Sequence, residues 1–310
     1  MASYQWKKKA LLAKVETVYG TDAVPTGVAN AMQGMNVELT PLDGDSISRD
    51  IELPYFGHNG ELMIKSHVSL SFDIEMAGSG AAGTAPAYAP LLRGCGHAET
   101  LTASVKAEYA RVSTAFESLS IYFHFAGSVH KMIGSRGSVR AAINANGLPV
   151  WRFTFKGLLV ATASAALPAL TLTGFKNPQV VNKINTTIFS VHGFNCIAQS
   201  FEADWGNQIE GRFLIGAESI EIVDSKPTGS VVIESPDITA KDFFAIATNR
   251  TRAAVQVKHG VGAGNIIQFD APAVEIGRPS YSQDQGVVMM TLPLIFAPVA
   301  GNDELKVAIS

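Results

Sequence analysis

Seven histidines and a few carboxylate pairs are the residues of this chain that could do chemistry. His58, His67, His97, His124, His130, His192 and His259 include no pair at i, i+4, the spacing that sets two imidazoles on one helix face for a metal. His124 and His130 flank a turn, but no third ligand accompanies them. Asp43 with Asp45, and Asp73 with Glu75, are paired carboxylates. Glycosidic chemistry needs two carboxyls about 5–10 Å apart, whereas pairs on turns and strand faces are more commonly solvated surface. There is no Gly-x-Ser-x-Gly elbow and no phosphate loop. Gly260, Gly262 and Gly264 have the spacing of a dinucleotide fingerprint but lack the helix that must follow it, so a hairpin turn is expected. Cys95 and Cys196 are the only cysteines, too few for a disulfide framework or a four-cysteine zinc site, and two buried reduced thiols are expected. No catalytic site, cofactor or metal is expected, and the chain does not read as an enzyme.

The elements are mostly strands. Leu119, Ile121, Phe123 and Phe125 alternate with Ser120, Tyr122 and His124, the period of a strand with one buried face. A turn at Gly127-Ser128-Val129-His130-Lys131 leads into a second strand, interrupted at Gly134-Ser135-Arg136-Gly137 and continued from Ser138 to Ile143. Asn144-Ala145-Asn146-Gly147 is a turn signal. Trp151, Phe153 and Phe155 then alternate with Arg152, Thr154 and Lys156, completing an antiparallel meander. A similar outline returns near the C-terminus: Ala253–His259, the glycine-rich turn, Asn265–Asp270 with Ala273–Ile276 as a broken strand, a turn at Gln283-Asp284-Gln285-Gly286, and Val287–Phe296. Short helix signals precede each meander, at Pro86–Arg93 and at Pro236–Thr248, where Ser235-Pro236-Asp237 has the makings of a helix start. This is read as one β-rich fold present twice.

Four segments follow. Residues 1–34 form an N-terminal arm segment, with a possible helical stripe of Leu11, Leu12, Val15 and Tyr19, expected to lie against its own domain or a neighbour. Residues 35–160 form the first β domain, with strands Met35–Leu42 and Ser46–Leu53 joined at Asp43-Gly44-Asp45, a tip at Pro54–Gly60, and a return strand Ser66–Met76. Residues 161–185 connect to a second β domain, 186–310. There Gly193–Ile197 is matched with Met35–Leu39, Phe213–Val223 is a strand, Val287–Phe296 is apolar on both faces and expected to be central or covered on both sides, and Leu305–Ile309 is a last strand. Ala98–Ser113 adds a further strand or a short insertion.

With 310 residues the chain has room for two cores. Only 16% of residues are charged, against about 25% in ordinary soluble proteins, so much of the outer surface is expected to be covered by other copies. The net charge of −3 offers no basic face for gripping nucleic acid. Lys7-Lys8-Lys9 is followed by no apolar stretch, so no signal peptide is expected. No run is long enough for a membrane helix, and no membrane association is expected.

Leu11-Leu12-Ala13-Lys14-Val15-Glu16 with Tyr19-Gly20-Thr21-Asp22, Pro25-Thr26 and Asn30-Ala31 resembles the opening of the major tail (tail tube) proteins of long, non-contractile-tailed bacteriophages. Gly127, His130, Gly134-x-Arg136-Gly137, Gly147-x-Pro149 and Phe153-x-Phe155-x-Gly157 are similar to the middle of those proteins. The resemblance covers most of residues 8–160 and the general outline of 186–310. It implies two tandem tail-tube-like β-sandwich domains, each with a short flanking α-helix, contributing to a ring-shaped β-barrel. It implies stacked rings forming a hollow tube that delivers double-stranded DNA without reading its sequence. The ring would be hexameric, or trimeric and pseudo-hexameric if each chain carries two tube domains. Assembly in the host cytoplasm and residence in the virion tail are implied, with the tape measure protein and the tail terminator and tip proteins as partners. Tyr55, Phe56, His58, Leu11, Leu12 and Tyr19 are candidate inter-subunit contacts. A conduit must not hold DNA, so Asp50, Glu52, Asp73 and Glu75 are candidate lumen-facing acids. The alternative is a carbohydrate- or surface-binding β-sandwich module using Trp6, Trp151 and Trp205 as a stacking platform.

Overall fold

A computed structural model describes residues 3–310; the first two residues of the arm segment lie outside the described residues. Strands make up 53% of the chain and helices 4%, as the alternating patterns predict. The first half holds β1 (Lys9–Val15), β2 (Ala31–Met32), β3 (Met35–Ser48), β4 (Glu61–Glu75), α1 (Ala89–Gly94), β5 (His97–Thr102), β6 (Lys106–Arg111), β7 (Leu119–Phe125), β8 (Ser128–Asn144) and β9 (Val150–Leu159). The connection carries β10 (Ala163–Ser164), which pairs with the start of β8. In the second half are β11 (Thr186–Val191), β12 (Phe194–Asn195), β13 (Ala198–Asp204), β14 (Asn207–Leu214), β15 (Ala217–Ser225), β16 (Thr228–Glu234), α2 (Phe243–Thr248), β17 (Arg252–His259), β18 (Ile267–Ile276), β19 (Ser280–Asp284), β20 (Val287–Phe296) and β21 (Lys306–Ile309).

Strand order repeats. β1 pairs with β2 and β7, β7 with β8, β8 with β9, β9 with β4, and β4 with β3. In the second half β11 pairs with β12 and β17, β17 with β18, β18 with β20, β20 with β16, and β16 with β13. The two halves do not stand apart. β8 pairs with β13 from Arg140↔Asp204 to Asn144↔Ser200, and the C-terminal β21 lies between β18 and β6. One apolar core runs through both, where Trp151 meets Trp205 and Phe269, with ring centroids 5.9 and 5.6 Å apart. Burying side chains of this size stabilises by roughly 1.5–3 kcal/mol each.

Several local expectations need correction. Residues 9–15 are a strand, not a helical stripe. Leu11 faces the main core, while Leu12 packs on the opposite side with Ala31, Tyr122, Val129 and the connection residues Ala165 and Leu172. A strand covered on both faces loses its period-two signature. β8 is continuous; the glycine-flanked stretch at 134–137 is a bulge, with the register shifting between Ile133 and Arg136. Gly134 sits at φ +58, and a Cβ there would fall 2.8 Å from the Tyr19 ring, so a side chain is excluded on two counts. Likewise β3 runs through Asp43-Gly44-Asp45 with bulges rather than ending there. Residues 98–113 are a hairpin, β5–β6. Ser235-Pro236-Asp237 makes a turn, in which Asp237 accepts from Thr239; α2 begins later, capped by the Asp242 carboxylate accepting from the Ala245 amide at 2.8 Å. Phe213–Val223 is broken by a turn at Ile215-Gly216 into β14 and β15. Phe194–Asn195 occupies the place of β2, one element earlier than the sequence match with Met35–Leu39 implied.

Candidate assembly surface

A continuous run of eight strands crosses the chain in the order β3-β4-β9-β8-β13-β16-β20-β19. One face of it is core: Leu70, Phe72, Ile74, Phe153, Trp151, Ala141, Phe201, Val231, Leu292. Pairing registers place the intervening residues on the other face, in solvent or half-buried. That face carries Glu38, Asp43, Asp73, Glu75, Glu202, Asp204, Glu234 and Asp284 against Arg140, Arg152 and Lys156. Its middle is neutralised across the seam between the halves, where Arg140 Nη2 lies 3.1 Å from Asp204 and Nη1 3.9 Å from Glu202. Asp43 accepts from the Ser69 hydroxyl at 2.6 Å, which holds its carboxyl below the usual range. The eight strands do not close on themselves, and among the described residues β3 and β19 each have a hydrogen-bonded neighbour on one side alone.

Beyond the sheet, β3 and β4 continue together as a finger. The last residue of β4 that pairs with β9 is His67, so the paired strands extend about 20 Å further. Residues 49–60 form the tip. Phe56 is 107% exposed and Tyr55 67%, and Ile47, Ile51, Leu53, Leu62 and Met63 are also exposed along the finger.

The sequence-derived residues separate into three places. Tyr55, Phe56 and His58 are on the finger, exposed. Leu11 and Leu12 are 3% and 2% exposed, inside the chain's own packing. Tyr19 is half-buried: its hydroxyl accepts from the Ile220 amide at 2.6 Å and its ring lies under the Arg136 guanidinium. It therefore fastens the β14–β15 hairpin to the first half. Asp73 and Glu75 lie on the polar sheet face, with Asp73 accepting from Asn36 at 2.9 Å. Asp50 and Glu52 are on the finger tip, away from that face. The seam strands β8 and β13, and the free edge β19, were not singled out by sequence reasoning; strand pairing between residues far apart in the chain leaves no local signal.

Among the described residues no group of three or more His, Cys, Asp or Glu gathers. The glycine run at 260–264 is the turn between β17 and β18, with no helix after it. Both cysteines are free; burial pushes Cys196 up to about 12 and Cys95 well above its ordinary value. A cavity of about 480 Å³ between Ile143, Val181, Phe189 and Ile197 has one charged residue, Lys183, in its lining. Trp151 and Trp205 are 0% and 2% exposed, which removes two of the three rings a carbohydrate platform would need.

A family model described as phage tail tube protein matches residues 6–298. The chain belongs to the phage tail tube protein family. A search of curated proteins returns no match. The tail tube family is a structural one and not an enzyme family, and membership places the protein in the virion tail as a component of an oligomeric, stacked assembly.

Proposed function

We propose that this protein forms the wall of the phage tail tube: three copies close into a ring, rings stack, and DNA is delivered through the lumen. The observation that carries this reading is the open eight-strand sheet with one polar face. If its eight strands closed within one chain, the barrel would be just wide enough to be filled by side chains. Three chains would bring about 24 strands; at about 4.8 Å spacing and a tilt of about 40°, the wall would measure roughly 150 Å around and 48 Å across. A double helix fits within it.

The repeated strand order supports a duplicated fold with one tube unit in each half, so that three chains serve where six single units would. The polar face becomes the lumen wall. Its excess of carboxylates repels the phosphate backbone, so passing DNA finds no cation lattice on which to release counterions and bind. Asp73 and Glu75 are the sequence-derived acids that belong to this wall; Asp50 and Glu52 ride on the finger. Tyr55, Phe56 and His58 make the finger a contact to a neighbouring chain, whereas Leu11, Leu12 and Tyr19 act inside the chain by seating the arm segment. Tape measure, terminator and tip proteins would occupy the lumen and ends of the finished tube. Negative-stain electron microscopy of the purified protein across a concentration series tests the reading. Hollow rings or tubes are expected; compact monomers at every concentration would count against it.

A further inference from the structure

We propose that the ring closes by strand pairing between β19 of one chain and β3 of the next, in the register already used inside each chain by β8 and β13. This inference rests on the ring reading above and specifies its joint. It starts from the repeated topology. Within the chain, the end of β8 (Arg140–Asn144) pairs antiparallel with β13, Ala141 opposite Ala203 and Ala142 opposite Glu202. The strand in the second half that corresponds to the end of β8 is β19. Each precedes a turn containing a residue at positive φ, Asn146 at 61° and Gln285 at 48°, and then a core strand, β9 or β20. The strand in the first half that corresponds to β13 is β3, since β3 borders β4 as β13 borders β16. So the chain holds one completed joint, β8·β13, and the two separated edges of a second.

Transferring the register sets Tyr281 opposite Leu39, Ser282 opposite Glu38 and Ser280 opposite Thr40. Side-chain faces agree. Leu39 packs on the core side, and Tyr281, opposite the core residue Met290, is on the same side, its ring tilted against Phe244 with centroids 5.4 Å apart. Ser280, Ser282, Glu38 and Thr40 fall on the polar face. A slip of one residue would put Tyr281 opposite a polar-face position and lose this match. Tyr281 is 61% exposed in the single chain, as a ring awaiting a neighbour's Leu39 would be. An unpaired strand edge is a template for another strand, and here the next copy of the chain supplies it.

A second feature agrees. Between β13 and β16 the chain inserts the β14–β15 hairpin, which crosses the seam to pack on the first half through Tyr19 and Arg136, the latter donating to the Ile220 carbonyl at 2.9 Å and paired with Glu221. Between β3 and β4, the corresponding insertion is the finger. A joint built like the internal one carries the finger of each chain across onto the second half of its neighbour, where its exposed apolar residues are covered.

The test is cross-linking of the full chain after assembly. A double variant, Glu38→Cys with Ser282→Cys, is treated with a short bis-maleimide and run under reducing, denaturing conditions. Both positions are exposed, so the fold tolerates the change. Expected is a covalent ladder of dimer and trimer, absent from either single variant and from a control pair, Glu38→Cys with Val299→Cys. Rings visible by electron microscopy with no cross-linking above the control would overturn the β19·β3 joint while leaving the ring reading intact. Absence of both rings and cross-links would overturn the ring reading and the joint with it.

Discussion

Replacing Phe56 by alanine separates folding from assembly. The ring is wholly exposed and lies in the finger tip, outside every strand, so F56A should shift the folding free energy by no more than about 0.5 kcal/mol. In a tube the ring would be covered by a neighbour. Fully burying a phenylalanine is worth about 1.5–3 kcal/mol, and each added chain brings one finger. At about 1.4 kcal/mol per tenfold, the concentration of free protein in equilibrium with tubes should rise roughly 10- to 150-fold. The assay pelts tubes from a series of total concentrations and reads the plateau of unsedimented protein, with the thermal midpoint of the same samples as the folding control. A plateau within about twofold of the parent, at an unchanged midpoint, would refute the assignment of the finger to an assembly contact.

Three other predictions concern the single chain. Glu16 is 7% exposed and accepts from the Gly20 and Gly134 amides and the Ser118 and Ser120 hydroxyls; Glu16→Ala strands these buried donors and should cost about 3–5 kcal/mol in chemical denaturation, and a loss under about 1 kcal/mol would contradict the network. Burial depresses His97 to about 4 from its ordinary 6.5, so the unfolded chain takes up a proton first: stability is full above about pH 6.5, falls by about 3 kcal/mol towards pH 4 and is flat in this residue below it. His97→Gln should make the fall between those values shallower, and an unchanged denaturation profile would refute the assignment. Because Phe201 pairs across the seam with Ile143 and packs on Phe269 at 5.4 Å, calorimetry should show one unfolding transition for the whole chain, which Phe201→Ala should shift as a unit at a cost of about 3–5 kcal/mol; two separable transitions would contradict the shared core.

The sequence was most legible where one face of a strand is buried and the other wet. The alternation at 119–125 matches β7 and that at 151–156 lies within β9, and the apolar run 287–296 is a strand with neighbours on both sides. It was least legible where a strand is covered twice, as at Leu11 and Leu12, whose two burials in opposite layers imitate a helical stripe. Capping chemistry misled at Ser235-Pro236-Asp237 because those residues serve a turn equally well, and the cap that operates, Asp242, lacked a proline to announce it. The finger was visible through Tyr55 and Phe56. The seam was not: β8 meets β13 across nearly sixty residues, and nothing local in Arg140–Asn144 or Ser200–Asp204 names its partner. The face of the candidate acids was half legible: Asp73 and Glu75 sit on a strand whose period shows their face, while Asp50 and Glu52 lie beyond the last pairing with β9, where period no longer fixes direction.

In the proposed tube the open sheet of each chain becomes one third of a closed wall. A cryo-electron microscopy map of assembled tubes tests it directly. Three chains per ring are expected, with β3-β4-β9-β8-β13-β16-β20-β19 of each lining the lumen and Asp73 and Glu75 facing inward. Six chains per ring, or a lumen lined by other strands with the polar face turned outward, would contradict it.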